Sequence, residues 1–216
     1  MNRLVDLSMI PDETAKYAAH SDRSEVKLAS AGINYTGVVF SVTLNSMAGT
    51  YLDLPGHIAE TDDGIDMAAY PLDKLYRRRA VVIHLNRPDE SGAVTAAELQ
   101  TACPTKIHPG DALIVNALGA TPWYGIAKRS VYLDHTAVKW IIDQGVELLV
   151  SDIFESRQLE GVFLALFKAR IAAVCCAVNL HELDAPEVKL TLLPLPLKNV
   201  TQMPCRIIAE LSDEKL

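Results

Sequence analysis

The chain has 216 residues, half of them hydrophobic and 22% of them charged, which is typical of a globular protein and excludes a disordered one. Its formal net charge of −7 argues against a nucleic-acid-binding protein, because phosphate contacts need clustered Lys and Arg side chains. No apolar run reaches the roughly 18 residues that a membrane span requires. We therefore predict one domain over residues 1–216 with neither a nucleic-acid nor a membrane partner.

The N-terminus and the cysteines indicate a cytoplasmic protein. The first residues include Asp6 and lack the apolar core of a signal peptide. The four cysteines lack the C-x-x-C spacing of a zinc site and fit the free thiols of a reducing compartment. Adjacent Cys175 and Cys176 lie in an apolar run, which favours packed thiols over metal ligands.

Short apolar and β-branched runs predict roughly nine strands. Those with clear bounds cover residues 5–8, 37–44, 79–85, 112–116, 147–151, 171–178, 188–193 and 205–211. Prolines flank residues 188–193, which are therefore predicted to form an edge strand or hairpin arm. Residues 12–35 are polar and show no sustained period, so we interpret them as a loop.

Three helices are predicted between these strands. The capping box from Thr95 to Glu98 begins the first helix. Asp134 is the predicted N-cap of a second helix, and a third is expected over about residues 159–168. The irregular alternation of strands and helices predicts a single α/β domain with mixed sheets rather than a regular doubly wound sheet.

The strongest functional signal lies in residues 44–66. This stretch combines a Gly-Thr turn, a Pro-Gly turn, one histidine and several carboxylates, a combination that a purely structural loop rarely needs. Asp53 and His57 bracket the Pro-Gly turn, which can bring both side chains to one pocket. An aspartate near a histidine raises the imidazole pKa and fixes its tautomer, so that the pair can act as a general acid or base.

Tyr51 alternates with Asp53 and can point into the same cavity, where its hydroxyl would polarise a substrate carbonyl. The predicted catalytic residues are therefore His57, Asp53 and Tyr51. A structural alternative is that Asp53 bonds turn amides while His57 is a satisfied, half-buried residue. The predicted substrate-binding residues are Met47 as pocket lining, Ser46, Glu60 as an outside candidate for a second acid, and Trp123 as an aromatic wall.

A longer pattern surrounds these residues. Residues 47–57 read M-A-G-T-Y-L-D-L-P-G-H, which matches five of the seven defining positions of the signature H-x-G-T-H-x-D-x-P-x-H. V-D-L-S at residues 5–8, G-I-D at 64–66, N-L-x-E-L at 179–183 and L-P-L at 193–195 accompany it. Over nearly its whole length the chain thereby resembles the cyclase family typified by bacterial kynurenine formamidase and isatin hydrolase.

The resemblance implies a swivelling β/β/α fold, usually assembled as homodimers or homotetramers. It also implies hydrolysis of amides, cyclic amides or lactones with a divalent metal. In the family, the first two histidines and the aspartate of the signature hold the metal. A second cluster uses the last signature histidine together with a later histidine and a later glutamate.

The departures from the family pattern fall on the metal ligands. Met47 and Tyr51 replace the first two signature histidines, and thioether and phenol are poor ligands for Zn²⁺, Mn²⁺ or Mg²⁺. The family's late glutamate corresponds to Cys175, and its late histidine to a position near Phe163. Only one carboxylate and one imidazole of the family's set remain, so we predict that the protein has no metal and no other cofactor.

Three functions stay open from the sequence. The first is a metal-independent enzyme of the lyase, cyclase or hydrolase type that acts on a small carbonyl-containing metabolite by acid–base chemistry. Cyclisation and dehydration are favoured over hydrolysis there, because no metal activates water. The second is a catalytically silent protein that binds a small molecule in the family pocket. The third is a metal-dependent amide or lactone hydrolase whose site is rebuilt from ligands such as Glu60, His57 and Cys175.

Overall fold

A computed structural model describes residues 3–11, 19–87, 92–122, 131–153 and 161–211. Within these ranges the chain forms twelve strands and three α-helices. The strands are β1 (Arg3–Asp6), β2 (Ala19–Ser30), β3 (Ile33–Leu44), β4 (Tyr51–Asp53), β5 (Arg78–His84), β6 (Gly92–Val94), β7 (Ala112–Asn116), β8 (Val131–Leu133), β9 (Leu148–Ser151), β10 (Ala172–Cys175), β11 (Glu187–Pro194) and β12 (Gln202–Leu211). The helices are α1 (Ala96–Ala102), α2 (His135–Asp143) and α3 (Val162–Lys168).

Seven strands close into a barrel-like sheet in the order β12-β11-β5-β7-β9-β10-β4, because β4 pairs with both β10 and β12. Strands β5, β7, β9 and β10 run parallel to one another, and the remaining pairings in this ring are antiparallel. Strand β1 adds to the edge of β12. The predicted α/β fold with a mixed sheet is confirmed.

The middle residues of the parallel strands are apolar because both faces of these strands are buried there. In β5, Ala80 and Val82 point into the barrel, while Val81 and Ile83 point outward under the helices. The outer apolar layer contains Leu99 of α1 and residues of α2 and α3. The barrel interior and the layer beneath the helices are thus two separate cores, one on each face of the sheet.

Side-chain caps begin the first two helices. The Thr95 hydroxyl accepts a hydrogen bond from the Glu98 amide at 3.3 Å, and the Asp134 carboxylate accepts one from the Ala137 amide at 2.9 Å. Both N-caps were predicted from the sequence. The Glu98 carboxylate, however, pairs with Arg87 instead of completing the capping box. None of the described helices is long and apolar enough to cross a membrane.

One local prediction is wrong, and one of two alternatives is wrong in a second. Of the stretch predicted as a loop, residues 19–30 form β2 and β3 begins at Ile33, while residues 12–18 lie outside the described ranges. Both arms of this hairpin are exposed, so β2 carries none of the apolar alternation by which a half-buried strand is recognised. Residues 188–193 were predicted to form an edge strand or hairpin arm: β11 is not an edge strand, because it lies between β12 and β5, but its antiparallel pairing with the next strand, β12, confirms the hairpin arm. Its flanking prolines bound the strand and remove no donor from its middle.

Replacing Asp134 by Ala should lower the free energy of unfolding by about 1 kcal/mol, because the amide of Ala137 loses its acceptor. Asp143→Ala is the matched control. It removes an exposed carboxylate from the other end of α2, where it pairs with Lys139 at 2.7 Å, and should cost less than about 0.5 kcal/mol. Urea denaturation of both variants measures the difference, and equal losses would contradict a capping role.

Candidate active site

Strand β4 positions two of the predicted catalytic residues. Tyr51 and Asp53 alternate along it and therefore face the same side of the sheet. Asp53 lies directly opposite Ala173 of β10 and Gln202 of β12, while Tyr51 lies opposite Cys175. The two side chains are thus held between two neighbouring strands rather than on a free loop.

A tight turn then brings His57 back towards Asp53. The chain leaves β4 through the 3₁₀ turn Pro55–His57, where the His57 amide donates to the Leu54 carbonyl at 2.9 Å. A Cβ at Gly56 would lie 2.6 Å from a methyl carbon of Thr201, so any larger residue would displace Thr201. As a result the His57 Nδ1 atom lies 3.8 Å from the Asp53 Oδ1 atom.

The Gly-Thr turn of the signature has a structural role. Thr50 is buried, and its hydroxyl accepts from the Met9 amide and donates to the Cys176 carbonyl, both at 2.7 Å. Gly49 has φ +66°, and a Cβ there would lie 2.8 Å from the Met9 carbonyl oxygen. The turn therefore ties the N-terminal segment and the end of β10 to the start of β4.

A cavity of about 500 Å³ lies between this end of β4 and helix α3. Its walls are largely apolar and include Phe163 and Leu166 of α3. The described residues that bring polar or sulfur groups to it are Met47, Tyr51, Asp53, His57, Ser151, Cys175 and Cys176. Its volume suits a small organic ligand.

Asp53 is the most unusual group in this cavity. It is 3% exposed, and its Oδ1 atom has no hydrogen-bond partner among the described residues. Burial raises the pKa of the carboxyl to about 7, and the neighbouring Gln202 side chain offsets part of that rise. The Gln202 Nε2 atom also lacks a partner within the described ranges, so the two groups are near each other but not joined by a well-formed hydrogen bond. A carboxyl in this state can hold or release a proton near neutral pH.

His57 does not behave as the sequence suggested. Its pKa is lowered by burial against the cavity wall, not raised by Asp53, although contact with Gln202 acts in the opposite direction. The 3.8 Å gap to Asp53 is too long for a hydrogen bond, so the carboxyl does not fix the imidazole tautomer in this geometry. The ring packs edge-on against Phe167 instead, with centroids 6.3 Å apart. Near neutral pH the imidazole is therefore uncharged.

Tyr51 is buried, and its hydroxyl is in hydrogen-bonding contact with the Cys175 thiol. Burial raises the pKa of the phenol far above its usual value. The hydroxyl therefore stays protonated and can serve as a hydrogen-bond donor to a bound ligand.

The predicted substrate-binding residues do not all line the cavity. Met47 lines the cavity. Ser46 does not line it; its hydroxyl donates to the Gln202 Oε1 atom at 3.2 Å. Glu60 is exposed and is not among the lining residues, and Trp123 lies outside the described ranges.

Residues outside the signature were missed or misjudged. Gln202 contacts both Asp53 and His57, yet it follows β4 by about 150 positions and only the β4–β12 pairing reveals it. Cys175 and Cys176 are partly exposed and line the cavity, which corrects their interpretation as thiols packed in the core.

The donor atoms do not fit the family's metal ion. A thioether and a phenol stand where imidazoles are needed, and a thiol stands at the late glutamate position. Among the described residues, no group of three or more His, Cys, Asp or Glu side chains is placed to hold a metal ion. The rebuilt set of Glu60, His57 and Cys175 is not such a group either, since Glu60 lies outside the cavity.

A second, smaller cavity of about 150 Å³ lies at the carboxyl ends of β7 and β9. The Asp152 carboxylate there accepts from the Ala117 and Leu118 amides at 2.8 and 3.0 Å, so it orders the chain after β7. Nearby, His84 Nδ1 accepts from the Asn116 amide at 2.9 Å while its Nε2 donates to the Leu183 carbonyl at 2.8 Å. His84 is therefore a structural residue.

Comparison with known proteins identifies the family. A model of the family described as "Putative cyclase" matches residues 5–156, more than half of the chain. Isatin hydrolase A from Labrenzia aggregata, bound to benzyl benzoate, superposes with a TM-score of 0.71 at 17% identity over 98% of this chain and 94% of that chain.

Isatin hydrolase A from Ralstonia solanacearum gives a TM-score of 0.74 at 18% identity, covering 98% of this chain and 92% of that one. A further solved structure, a novel cyclase, gives 0.77 at 15% identity, covering 97% and 88%. A search of the curated proteins found no match. At these identities the structural likeness shows the fold, and with the matched family model it confirms the predicted resemblance. The chain belongs to the cyclase family.

Proposed function

We propose that this protein is an enzyme that acts on a small, uncharged carbonyl compound by acid–base chemistry, without the metal ion of its family. The observation that carries the proposal is the buried carboxyl of Asp53, whose Oδ1 atom has no hydrogen-bond partner among the described residues, in a ligand-sized cavity beside Tyr51 and His57. A buried carboxyl oxygen left without a partner costs stability, and such costs are concentrated at functional sites.

The structure suggests different proton-transfer roles from those drawn from the sequence. Asp53 has a pKa near neutrality and is therefore the better general acid or base, because a proton can be gained and lost at working pH. The protonated Tyr51 hydroxyl is placed to donate to the substrate carbonyl and to stabilise developing charge there. Neutral His57 accepts or relays the second proton of the cycle.

The cavity also supports a substrate class. Its described lining includes no Lys or Arg side chain, so an anionic ligand would be buried beside Asp53 without a counter-ion. The apolar walls of the cavity suit a ring-containing ligand. One protein of similar fold, isatin hydrolase A, was solved with benzyl benzoate bound. Aromatic cyclic amides, esters and hydroxy-ketones are therefore the first compounds to assay. Cyclisation, dehydration and hydrolysis each require the same two proton transfers, so all three reactions are to be assayed. The proposed compartment is the cytoplasm.

A catalytically silent binding protein is the second candidate. It is favoured by the 3.8 Å separation of His57 and Asp53, which leaves the pair without the hydrogen bond of a working dyad. Thermal stabilisation by a panel compound without turnover would support this candidate.

Stability should depend on pH through Asp53. A carboxyl whose pKa is about 7 in the folded state and about 3.9 in the unfolded state favours folding at low pH, and this contribution is lost as the pH rises through 7. Asp53→Asn should therefore raise the free energy of unfolding at pH 8 by a few kcal/mol, on the order of 2–4, and change it little at pH 4. Urea denaturation at both pH values measures this.

Asp66→Asn provides a control of opposite sign. Hydrogen bonds from the Asn199, Ala69 and Ala68 amides lower the pKa of Asp66, so its contribution is present at neutral pH and lost as the pH falls. That variant should be less stable than the native protein at pH 7. If Asp53→Asn behaved in the same way, the assignment of a raised pKa to Asp53 would be wrong.

Activity should depend on the three cavity groups. On any compound that the protein turns over, Asp53→Asn, His57→Gln and Tyr51→Phe should each lower kcat/KM by on the order of 10²–10⁴-fold, the usual range for general acid–base groups. Asp143→Asn, on the exposed end of α2, should leave it unchanged. Unaltered rates in all three cavity variants would refute the assignment.

Chelators should not affect the rate. Dialysis against EDTA and phenanthroline should leave kcat/KM within roughly twofold, because the described residues of the cavity do not provide the three protein ligands that a catalytic metal needs. Elemental analysis of the purified protein is the companion measurement. Loss of activity that is restored by a stoichiometric transition metal would sink the metal-free mechanism.

A further inference from the structure

Two of the four cysteines, Cys175 and Cys176, line the large cavity. Strand β10 ends at Cys175, and consecutive side chains of a regular strand point to opposite faces. The chain leaves that pattern at Cys176, which has φ +59°, a left-handed conformation that is uncommon for residues other than glycine. The Thr50 hydroxyl donates to the Cys176 carbonyl at 2.7 Å and holds this turn. The end of β10 therefore presents two adjacent thiols to one cavity.

Cys175 lies beside the groups to which carbonyl chemistry is assigned. It is directly opposite Tyr51 across β10 and β4, and opposite residues of an antiparallel pair share a face. The Tyr51 hydroxyl contacts the Cys175 thiol. Two residues earlier on that face, Ala173 lies opposite Asp53, and its side chain is a single methyl group. This small side chain leaves room for a ligand in front of the thiol, the phenol and the carboxyl.

The other two cysteines lie where a cavity ligand cannot reach them. Cys205 is buried in the barrel interior, and burial raises the pKa of its thiol to about 12. Cys103 is partly exposed, but it is not among the residues that line the cavity, and its thiol donates to the Thr105 carbonyl at 3.1 Å. Reactive cysteines are accessible, whereas buried structural ones are inert. Of the cavity thiols, Cys175 is the one paired with Tyr51 across the two strands.

We propose that Cys175 is the nucleophile of this cavity and that its Sγ atom adds to the carbonyl carbon of the bound compound. The class of that compound rests on the proposed function. In the addition the Sγ–C bond forms and the π bond of the carbonyl breaks. The carbonyl oxygen takes the phenol proton of Tyr51, and the phenol takes the proton that the thiol loses, so Tyr51 ends unchanged.

A thiol nucleophile gives hydrolysis a route that needs no metal-activated water. With a cyclic amide or ester, the ring C–N or C–O bond of the adduct breaks. The leaving nitrogen or oxygen takes the proton of the adduct hydroxyl, the carbonyl re-forms, and a thioester of Cys175 remains. Water then cleaves the thioester to the carboxylic acid and restores the thiol.

Alkylation by phenacyl chloride, an aromatic chloromethyl ketone, tests the inference on the native protein. Attack on its chloromethyl carbon forms an S–C bond and releases chloride and the thiol proton. Peptide mass spectrometry should show Cys175 modified roughly tenfold or more faster than Cys103, because the cavity holds the ring and the carbonyl beside the Cys175 thiol. Equal rates at Cys175 and Cys103, or faster modification of Cys176, would overturn the inference.

Turnover separates this step from the rest of the proposed function. On any compound that the protein turns over, Cys175→Ser should lower kcat/KM by on the order of 10²-fold or more while thermal unfolding stays native-like, because a hydroxyl is a weaker nucleophile than a thiol. Cys103→Ser removes a thiol outside the cavity and should leave kcat/KM unchanged.

The two proposals fail in different ways. If Cys175→Ser kept the native rate while Asp53→Asn lost it, the nucleophile assignment would be wrong and the proposed enzyme would stand. If phenacyl chloride modified Cys175 selectively but no compound were turned over, the proposed function would fail and the nucleophilic thiol would remain.

Discussion

Closure of the barrel by β4 is the constraint on which the site depends. This strand has three residues, all buried, and it must pair with β10 on one side and β12 on the other. A strand so short cannot place Tyr51 and Asp53 on the outer face unless its neighbours hold its register. The Thr50 hydroxyl, with bonds to both the N-terminal segment and the end of β10, holds the start of β4 in place. Gly49 and Thr50 of the signature, and Gly56 at one of its unspecified positions, therefore set the geometry, while Tyr51, Asp53 and His57 line the cavity.

Loss of the metal ligands changes the electrostatics of Asp53. In a site with a cation nearby, a buried carboxylate is charged and satisfied. Among the described residues, the Gln202 amide and an uncharged imidazole lie beside Asp53, so burial prevails and the carboxyl holds its proton up to about pH 7. Under the proposed function, Asp53 therefore serves as a proton carrier and not as a metal ligand. The buried phenol of Tyr51 would donate a hydrogen bond to the substrate carbonyl in that proposal.

The hairpin of β2 and β3 is linked to this site through the chain. Strand β3 ends at Leu44, and Met47 on the cavity wall follows three residues later.

Local patterns in the sequence determined most of the fold. Strands such as residues 112–116 were predictable because burial on both faces demands an unbroken apolar run, and α1 and α2 were predictable from their N-caps. The signature likewise placed Tyr51, Asp53 and His57 together.

Only the tertiary structure decided the pKa shifts and the polar contacts of these groups. Burial lowered the pKa of His57 where the sequence suggested the opposite, and strand pairing brought Gln202 from the far end of the chain against both partners. The first arm of the hairpin, β2, was also missed, because a strand exposed on both faces lacks the periodic pattern of a half-buried one, whereas the β-branched run predicted most of β3. Desolvation and strand pairing depend on residues distant in the chain, and no local pattern encodes them.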